Sequence, residues 1–447
     1  MFSGFSHFYE KRMTSSQIII ATFVIGILTG TLLLMLPFAT AEWGGASFVD
    51  ALFTATSAMC VTGLVVHDTA MYWSLFGKLV ILLLIQVGGM GVVTMAVAIA
   101  MMGHHKIDLL QRSTMQAAIS APNVGGIVRL TGFIVSMAAA IEIVGAIALS
   151  FVFVPEFGFF RGIGYSIFHS ISAFCNAGFD LMGVKAEYSS LVSYSGSALV
   201  NIVVVALIVV GGIGFTTWDD LRQNTHHFHR YRLQTKVILT VTATLIVVPA
   251  LYFFFCEYQG LPFWQRLWES LFQSATTRTA GFNTADLGTL TDTGKGMMIA
   301  LMLIGGSPGS TAGGMKTTTI LVLLLTAIAV FRQKDETECF DRRIGESVIK
   351  TAATILMMYG ALFFGAALLI SYWENIPLLT CLFETASAIG TVGLTLGITP
   401  HLGTASHLVL IGLMFFGRVG GLTLIFAAVN PHPAKVSRLP EEKITVG

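Results

Sequence analysis

Eight stretches of this chain are apolar over the ~20 residues a helix needs to cross bilayer hydrocarbon. They are Ser16–Phe38, Trp73–Met102, Ile127–Val154, Ala198–Thr216, Val237–Phe255, Met297–Phe331, Ile349–Tyr372 and Leu408–Val429. The composition agrees: of 447 residues, 54% are hydrophobic and 11% charged, against about a quarter charged in soluble domains. Such a chain places much of its surface in lipid. The first run follows Lys11 and Arg12 and precedes Ala39-Thr40-Ala41. It exceeds the ~7–15 apolar residues of a signal core, which predicts a retained helix.

Charge sets the orientation. Lys and Arg concentrate at the N-terminus, in the second, fourth and sixth connections and at the C-terminus, as in Lys106, Arg112, Arg222, Arg230, Arg342 and Lys435. The intervening segments hold only Lys78, Arg161, Lys185, Arg266, Arg278 and Lys295. By the positive-inside rule both termini are expected to be cytoplasmic, and a multi-pass place in the plasma (inner) membrane is expected. A net charge of +1 leaves no basic excess for nucleic acid. The cysteines Cys60, Cys175, Cys256, Cys339 and Cys381 form no CxxC pair, so neither a disulfide framework nor a zinc site is expected.

Between paired spans the outer segments repeat. Aligned on a glycine they read FVDALFTATSAMCVTGLVVHDT, IGYSIFHSISAFCNAGFDLMG, RLWESLFQSATTRTAGFNTADL and LLTCLFETASAIGTVGLTLGIT, and the anchors are Gly63, Gly178, Gly281 and Gly393. A helix over 47–59 is roughly 20 Å long at 1.5 Å per residue, about half a bilayer, so each segment enters and returns. Non-helical backbone at membrane depth survives only inside protein or along a watery cavity. The predicted fold is an all-α polytopic membrane protein of four span–half-helix–span repeats. Eight transmembrane helices and four re-entrant half-helices surround one pseudo-fourfold pore. The repeats are 1–104, 105–222, 223–335 and 336–430, with a tail at 431–447.

The chemistry at the anchors is that of backbone. The expected filter residues are Val61, Thr62, Gly63; Asn176, Ala177, Gly178; Thr279, Ala280, Gly281; and Thr391, Val392, Gly393. No carboxylate or thiolate array recurs, which disfavours hard divalent and transition metals. Glycine allows positive φ and inward carbonyls, and rings of carbonyls replace the hydration shell of a monovalent cation, K+ most readily.

The strings DALFTATSAMCVTGL, CNAGFDL, TTRTAGFNT and FETASAIGTVGLTLGIT resemble the four pore loops of the Trk/Ktr/HKT superfamily of potassium transporters. The similarity covers nearly the whole chain. Without an extra helical pair ahead of the first repeat, it is most like the Ktr-type membrane subunit. The resemblance implies a homodimer with one pore per subunit, working with a cytosolic nucleotide-binding ring (KtrA/TrkA-like, with RCK domains). It places K+ at the loops of Gly63, Gly178, Gly281 and Gly393. Some plant relatives carry Ser at the first anchor and favour Na+, so Gly63 implies K+. Cys60 and Cys175 depart from the pattern, and only Thr391-Val392-Gly393 closely resembles a potassium-channel filter.

The sixth span is interrupted by Gly305-Gly306-Ser307-Pro308-Gly309-Ser310-Thr311-Ala312-Gly313-Gly314-Met315-Lys316 and the threonines to Thr319, which cannot continue a helix. Met315 separates Gly314 from Lys316 and spoils a phosphate-binding loop. No cofactor is expected on this chain; a nucleotide (ATP/ADP or NAD(H)) would bind only the partner. The interruption resembles the family's intramembrane gating loop. Arg418, an expensive mid-membrane charge, matches an arginine of the family's last helix and is read with Lys316 as part of the gate. This span is expected to be the only broken one, which weighs against organic-solute transporters with discontinuous helices in both halves. Paired Asp, HExxH and GxS-with-His are absent from the spans, against an intramembrane enzyme. Glu142 has no evident partner, and a buried structural hydrogen bond is expected for it before a transport role. Glu269 and Glu384 are expected to brace pore loops, and Asp50 to be an N-terminal cap or dipole partner of its half-helix. His104, His105, His226, His227 and His229 read as a solvated basic surface for the docking partner. Na+-permeable or Na+-coupled K+ transport is the alternative within the superfamily.

Overall fold

The computed structural model describes residues 14–102, 107–119, 125–225 and 227–428. The N-terminal charges, His104, His105, His226 and the tail at 431–447 lie outside them.

The helices in chain order are α1 (Ser15–Leu34), α2 (Phe48–Met59), α3 (Leu75–Met90), α4 (Val92–Met102), α5 (Leu109–Ala118), α6 (Ile127–Phe157) and α7 (Phe159–Phe174). Then come α8 (Ala198–Gly212), α9 (Phe215–Asn224), α10 (Leu233–Tyr252), α11 (Phe263–Thr276), α12 (Asp292–Leu303) and α13 (Thr317–Phe331). The last are α14 (Glu346–Glu374), α15 (Leu378–Gly390), α16 (Thr404–Val419) and α17 (Gly421–Ala428). A small hairpin, β1 (Glu338–Cys339) and β2 (Arg342–Arg343), joins α13 to α14.

Two kinds of helix divide the work. The long helices α1, α6, α10 and α14 are apolar and bury only 28–33% of their most hydrophobic window. Ile25, Leu32, Val144 and Met357 are each more than 60% exposed, a surface that suits lipid and not water. The short helices invert this pattern. In α15, Cys381 and every residue from Phe383 to Gly390 are buried, although Glu384, Thr385 and Ser387 are polar. Their hydrogen bonds therefore have to be met inside the protein.

The packing closes on itself. Helix α3 lies against α7, α8 against α11, α12 against α15 and α16 against α2. Each unit's last helix leans on the short helix of the next unit, and the fourth returns to the first.

The expectation of a single broken span is corrected. The runs Trp73–Met102, Ala198–Thr216 and Leu408–Val429 are each broken too. Helices α3 and α4 meet at 96° and α8 and α9 at 94°, while α16 stops one residue before α17 begins. The hinge residues Gly91, Gly214 and Gly420 have φ of 85°, 94° and 88°, a region closed to residues with a Cβ at low cost. The interruption in the sixth run spans 304–316, since Thr317, Thr318 and Thr319 open α13.

Candidate functional site: a glycine ring and the layer beneath it

The anchor glycines lie together. A Cβ built on Gly63 would sit 2.5 Å from Ala177 O, on Gly178 2.8 Å from Ala280 O, on Gly281 2.4 Å from Val392 O, and on Gly393 2.1 Å from Thr62 O. Each loop thus abuts the carbonyl of the next, in a closed cycle of four. Backbone handedness repeats as well. Val61, Asn176, Thr279 and Thr391 have φ of 51–71°, and the glycines two residues later have φ of 71–94°. The residues between them are not in that region. Alternating handedness along an extended strand turns successive carbonyls toward one side. All twelve residues of the four triplets are buried.

Hydroxyls at the ends of the short helices hold the loops in two ways. Ser57 Oγ and Ser387 Oγ accept from the N–H of Gly63 and Gly393, each at 3.0 Å. Ser172 Oγ and Thr276 Oγ1 instead donate to Phe179 O and Phe282 O at 2.7 and 2.5 Å. Glu384 accepts from the hydroxyls of Thr395 (2.9 Å) and Thr399, tying α15 to the chain beyond Gly393. His169 does the same for α7: its Nδ1 faces Tyr165 O at 2.8 Å and Leu181 N–H donates to Nε2 at 3.2 Å. It escaped the sequence reading, yet it stands nine residues before Gly178, as Glu384 does before Gly393. Glu269 accepts from Gln265 Nε2 within α11 at 2.9 Å and from the Ser195 hydroxyl, ahead of α8.

Glu142 makes a buried hydrogen bond of the structural kind expected: Gln86 Nε2 donates to both its oxygens at 3.1 and 3.2 Å. The cap of α2 is Ser47, which accepts from Asp50 N, so the capping role expected of Asp50 is corrected; Asp50 lies in the first turn of α2, as a dipole partner would, and meets His67 at 3.2 Å.

Below the ring, the breaks create a second problem, since helix ends leave carbonyls unpaired at membrane depth. The loop 304–316 meets much of that need. Ser307 N and Thr311 N donate to Gly212 O (3.1 Å) and Gly211 O (3.3 Å) at the end of α8, and Gly314 N donates to Gly417 O (3.1 Å) in α16. Arg418 serves the end of α3: its guanidinium donates to Gly88 O and, at 3.1 Å, to Gly89 O, and also to Thr311 O of the loop. Lys316 Nζ donates back to Ala312 O (2.9 Å). The loop touches the ring's underside, for a Cβ on Gly313 would meet Thr391 Oγ1 at 2.1 Å. Lys316 and Arg418 line a cavity of about 340 Å³ beside Thr94, Ser310 and Tyr359.

The break motif, missed as a repeat, was present in the sequence as Gly88-Gly89-Met90-Gly91, Gly211-Gly212-Ile213-Gly214 and Gly417-Arg418-Val419-Gly420. Its first glycine packs on the end of its own unit's short helix. A Cβ on Gly88, Gly211 or Gly417 would lie 2.0, 2.0 or 2.1 Å from Met59 O, Phe174 O or Ile389 O.

Comparison with known proteins agrees with this architecture. The family model TrkH, cation transport protein, matches residues 6–438. A potassium/sodium uptake protein of Enterococcus hirae, NtpJ, is 40% identical over 98% of this chain and 98% of its own length. The Ktr system potassium uptake protein B of Bacillus subtilis is 39% identical, covering 98% of this chain and 97% of its own. The crystal structure of the potassium transporter TrkH from Vibrio parahaemolyticus superposes with a TM-score of 0.75 at 19% identity, over 94% of this chain and 86% of that one. The chain is a membrane protein of the TrkH family of cation transport proteins, with Ktr-type uptake proteins among its relatives, and is not an enzyme.

Proposed function

We propose that this chain is a channel-like pore for K+ uptake across the plasma membrane, with both termini cytoplasmic. The observation that carries this reading is the closed cycle of four glycine loops, each packed on its neighbour's carbonyl. Carbonyls of Val61, Thr62 and Gly63 and of the three matching triplets would replace the hydration shell of a monovalent cation. The short helices α2, α7, α11 and α15 end at these loops, so their negative dipole ends favour a cation there. Organised in this way, the fold has four repeats, each a span, a pore half-helix and a second, broken span.

The loop 304–316 and Arg418 act as the gate. With the loop seated, its backbone and two cationic side chains occupy the path below the ring and repel an entering cation. Opening requires the loop to leave Gly211, Gly212 and Gly417 and to release Arg418. A cytosolic nucleotide-binding ring, as the Ktr-type relatives suggest, would drive that change in a homodimer of this chain. Nucleotide would bind the ring and not this chain.

The test is radiolabelled rubidium uptake, with growth at low K+, in a host lacking its own K+ uptake and supplied with the regulatory subunit. Restored growth and saturable uptake are expected; a chain that is in the membrane and conducts neither ion would sink the reading. A second reading, Na+-permeable or Na+-coupled K+ transport, is favoured by the potassium/sodium relative at 40% identity. Dependence of uptake on external Na+ separates the two.

A further inference from the structure

A second cavity, of about 260 Å³, lies away from the ring where the start of α6 meets α9 and the entry to α10. Its charged lining is Arg129, Arg222, Arg232 and Asp219, with Gly126 and Phe133 between them. Among the described residues none of the three guanidiniums has a carboxylate partner. Asp219 is already engaged, accepting from Gln223 Nε2 at 2.7 Å. Arg222 Cζ lies over the Phe133 ring, 4.8 Å from its centroid, and both side chains line the cavity. Three guanidiniums against the single carboxylate of Asp219 leave the lining with an excess of positive charge, which a phosphate with its acceptor oxygens relieves.

The apolar side of the cavity identifies the source of that phosphate. Phe133 begins a face of α6 that continues through Met137 and Val144, at helical spacings that keep them in line. Met137 and Val144 are 38% and 67% exposed, so a chain lying along them would cover apolar surface. A site with guanidiniums at one end and a lipid-facing apolar stripe leading away fits an amphiphile better than a free ion. Basic pockets of this kind, at the inner ends of membrane helices, hold lipid head groups.

We infer that Arg129, Arg222 and Arg232 bind the phosphate of an anionic glycerophospholipid of the inner leaflet, whose acyl chain lies along Phe133, Met137 and Val144. The site ties the first turn of α6 to α9, which leads away from the hinge at Gly214. Through that hinge, lipid occupancy would steady α8 and the loop resting on Gly211 and Gly212. The inference uses the membrane placement proposed above but not the ion pathway, and its test needs no transport.

The experiment uses the full chain in a neutral detergent, titrated with dioctanoyl phosphatidylglycerol, dioctanoyl phosphatidylcholine or inorganic phosphate. Thermal unfolding and native mass spectrometry read the binding. Phosphatidylglycerol is expected to bind and raise the Tm, while the other two do neither at the same concentration. Replacing all three arginines (R129Q, R222Q and R232Q) should weaken phosphatidylglycerol binding on the order of 100-fold, given about tenfold or less for each cation near an anionic surface. The matching triple change to Lys should keep most of it. Equal binding of phosphatidylcholine, an equal effect of inorganic phosphate, or undiminished binding in the triple Gln variant each overturns the inference. If the triple variant does not fold, R222Q alone against R222K decides, since the lost charge and not the lost side chain must carry the effect.

Discussion

The ring and the layer beneath it are both built from glycine and carbonyl oxygen, but they treat the fourfold plan differently. In the ring every loop makes the same contact with its neighbour and carries the same pair of positive-φ positions. In the layer below, three helices bend at a single glycine, the fourth is replaced by a loop of 304–316, and one break carries an arginine where its counterparts carry glycine. On the proposed function, symmetry is kept where four carbonyl sets would meet one ion, and broken where a single element would move against the others.

The comparison is broken most directly at the ring. Gly393→Ala places a methyl 2.1 Å from Thr62 O and forces an L-residue into φ of 94°. Overpacking and left-handed strain together are on the order of 3 kcal/mol or more. Rubidium uptake is expected to fall at least ~100-fold, with the chain still reaching the membrane. Because the cycle is symmetric, Gly63→Ala, Gly178→Ala and Gly281→Ala should each do the same. A ring glycine that tolerates Ala with K+/Na+ discrimination intact would show that its loop does not face the ion.

In the lower layer the expected sign reverses. Arg418→Gln removes charge-assisted hydrogen bonds to Gly88 O, Gly89 O and Thr311 O, each worth about 1.5–3 kcal/mol. With the loop less firmly held, uptake without the regulatory subunit should rise about tenfold, and selectivity should not change. A fall in uptake with no change in its regulation would instead make Arg418 a structural cap for α3.

Much of this plan was legible in the sequence, and the misses have physical reasons. The four anchors stood out because ring geometry forces one residue type at one spacing in every repeat. The breaks at Gly91, Gly214 and Gly420 did not, because each costs only one glycine in a run whose mean hydropathy stays high. Hydropathy reports where a segment sits and not whether its axis turns by 96°. The partner of Glu142 is hidden for a related reason. Gln86 belongs to a different unit, 56 residues away in the chain, and the packing of α3 on α7, itself packed on α6, brings them together. Ser47 was overlooked because an acid in the first turn of α2 offered a simpler cap.

Between ring and gate stand Gly88, Gly211 and Gly417, whose replacement by Ala tests whether the two layers are coupled. Each would press a methyl on a carbonyl in the last turn of a short helix, from 2.0 to 2.1 Å. Some of that contact is relieved by a shift of the helix, so a loss of about tenfold in uptake is expected from ~1–2 kcal/mol of strain. Selectivity should change as well, because the displaced helix carries a ring loop. Unchanged selectivity with altered regulation would assign these glycines to the gate alone.

The smallest effects should come from the hydroxyls, and they probe a departure of the ring's supports from fourfold symmetry. Ser57→Ala and Ser387→Ala leave the N–H of Gly63 and Gly393 without an acceptor, whereas Ser172→Ala leaves Phe179 O without that donor. A lost buried hydrogen bond is about 1 kcal/mol, hence a severalfold change in the K+/Na+ uptake ratio at unchanged expression. An orphaned N–H is harder to satisfy than a carbonyl with two lone pairs. The first and fourth loops should therefore suffer more than the second. If Ser172→Ala costs as much as Ser57→Ala, the two bonding modes are equivalent supports, and the asymmetry of the ring is without consequence for the ion.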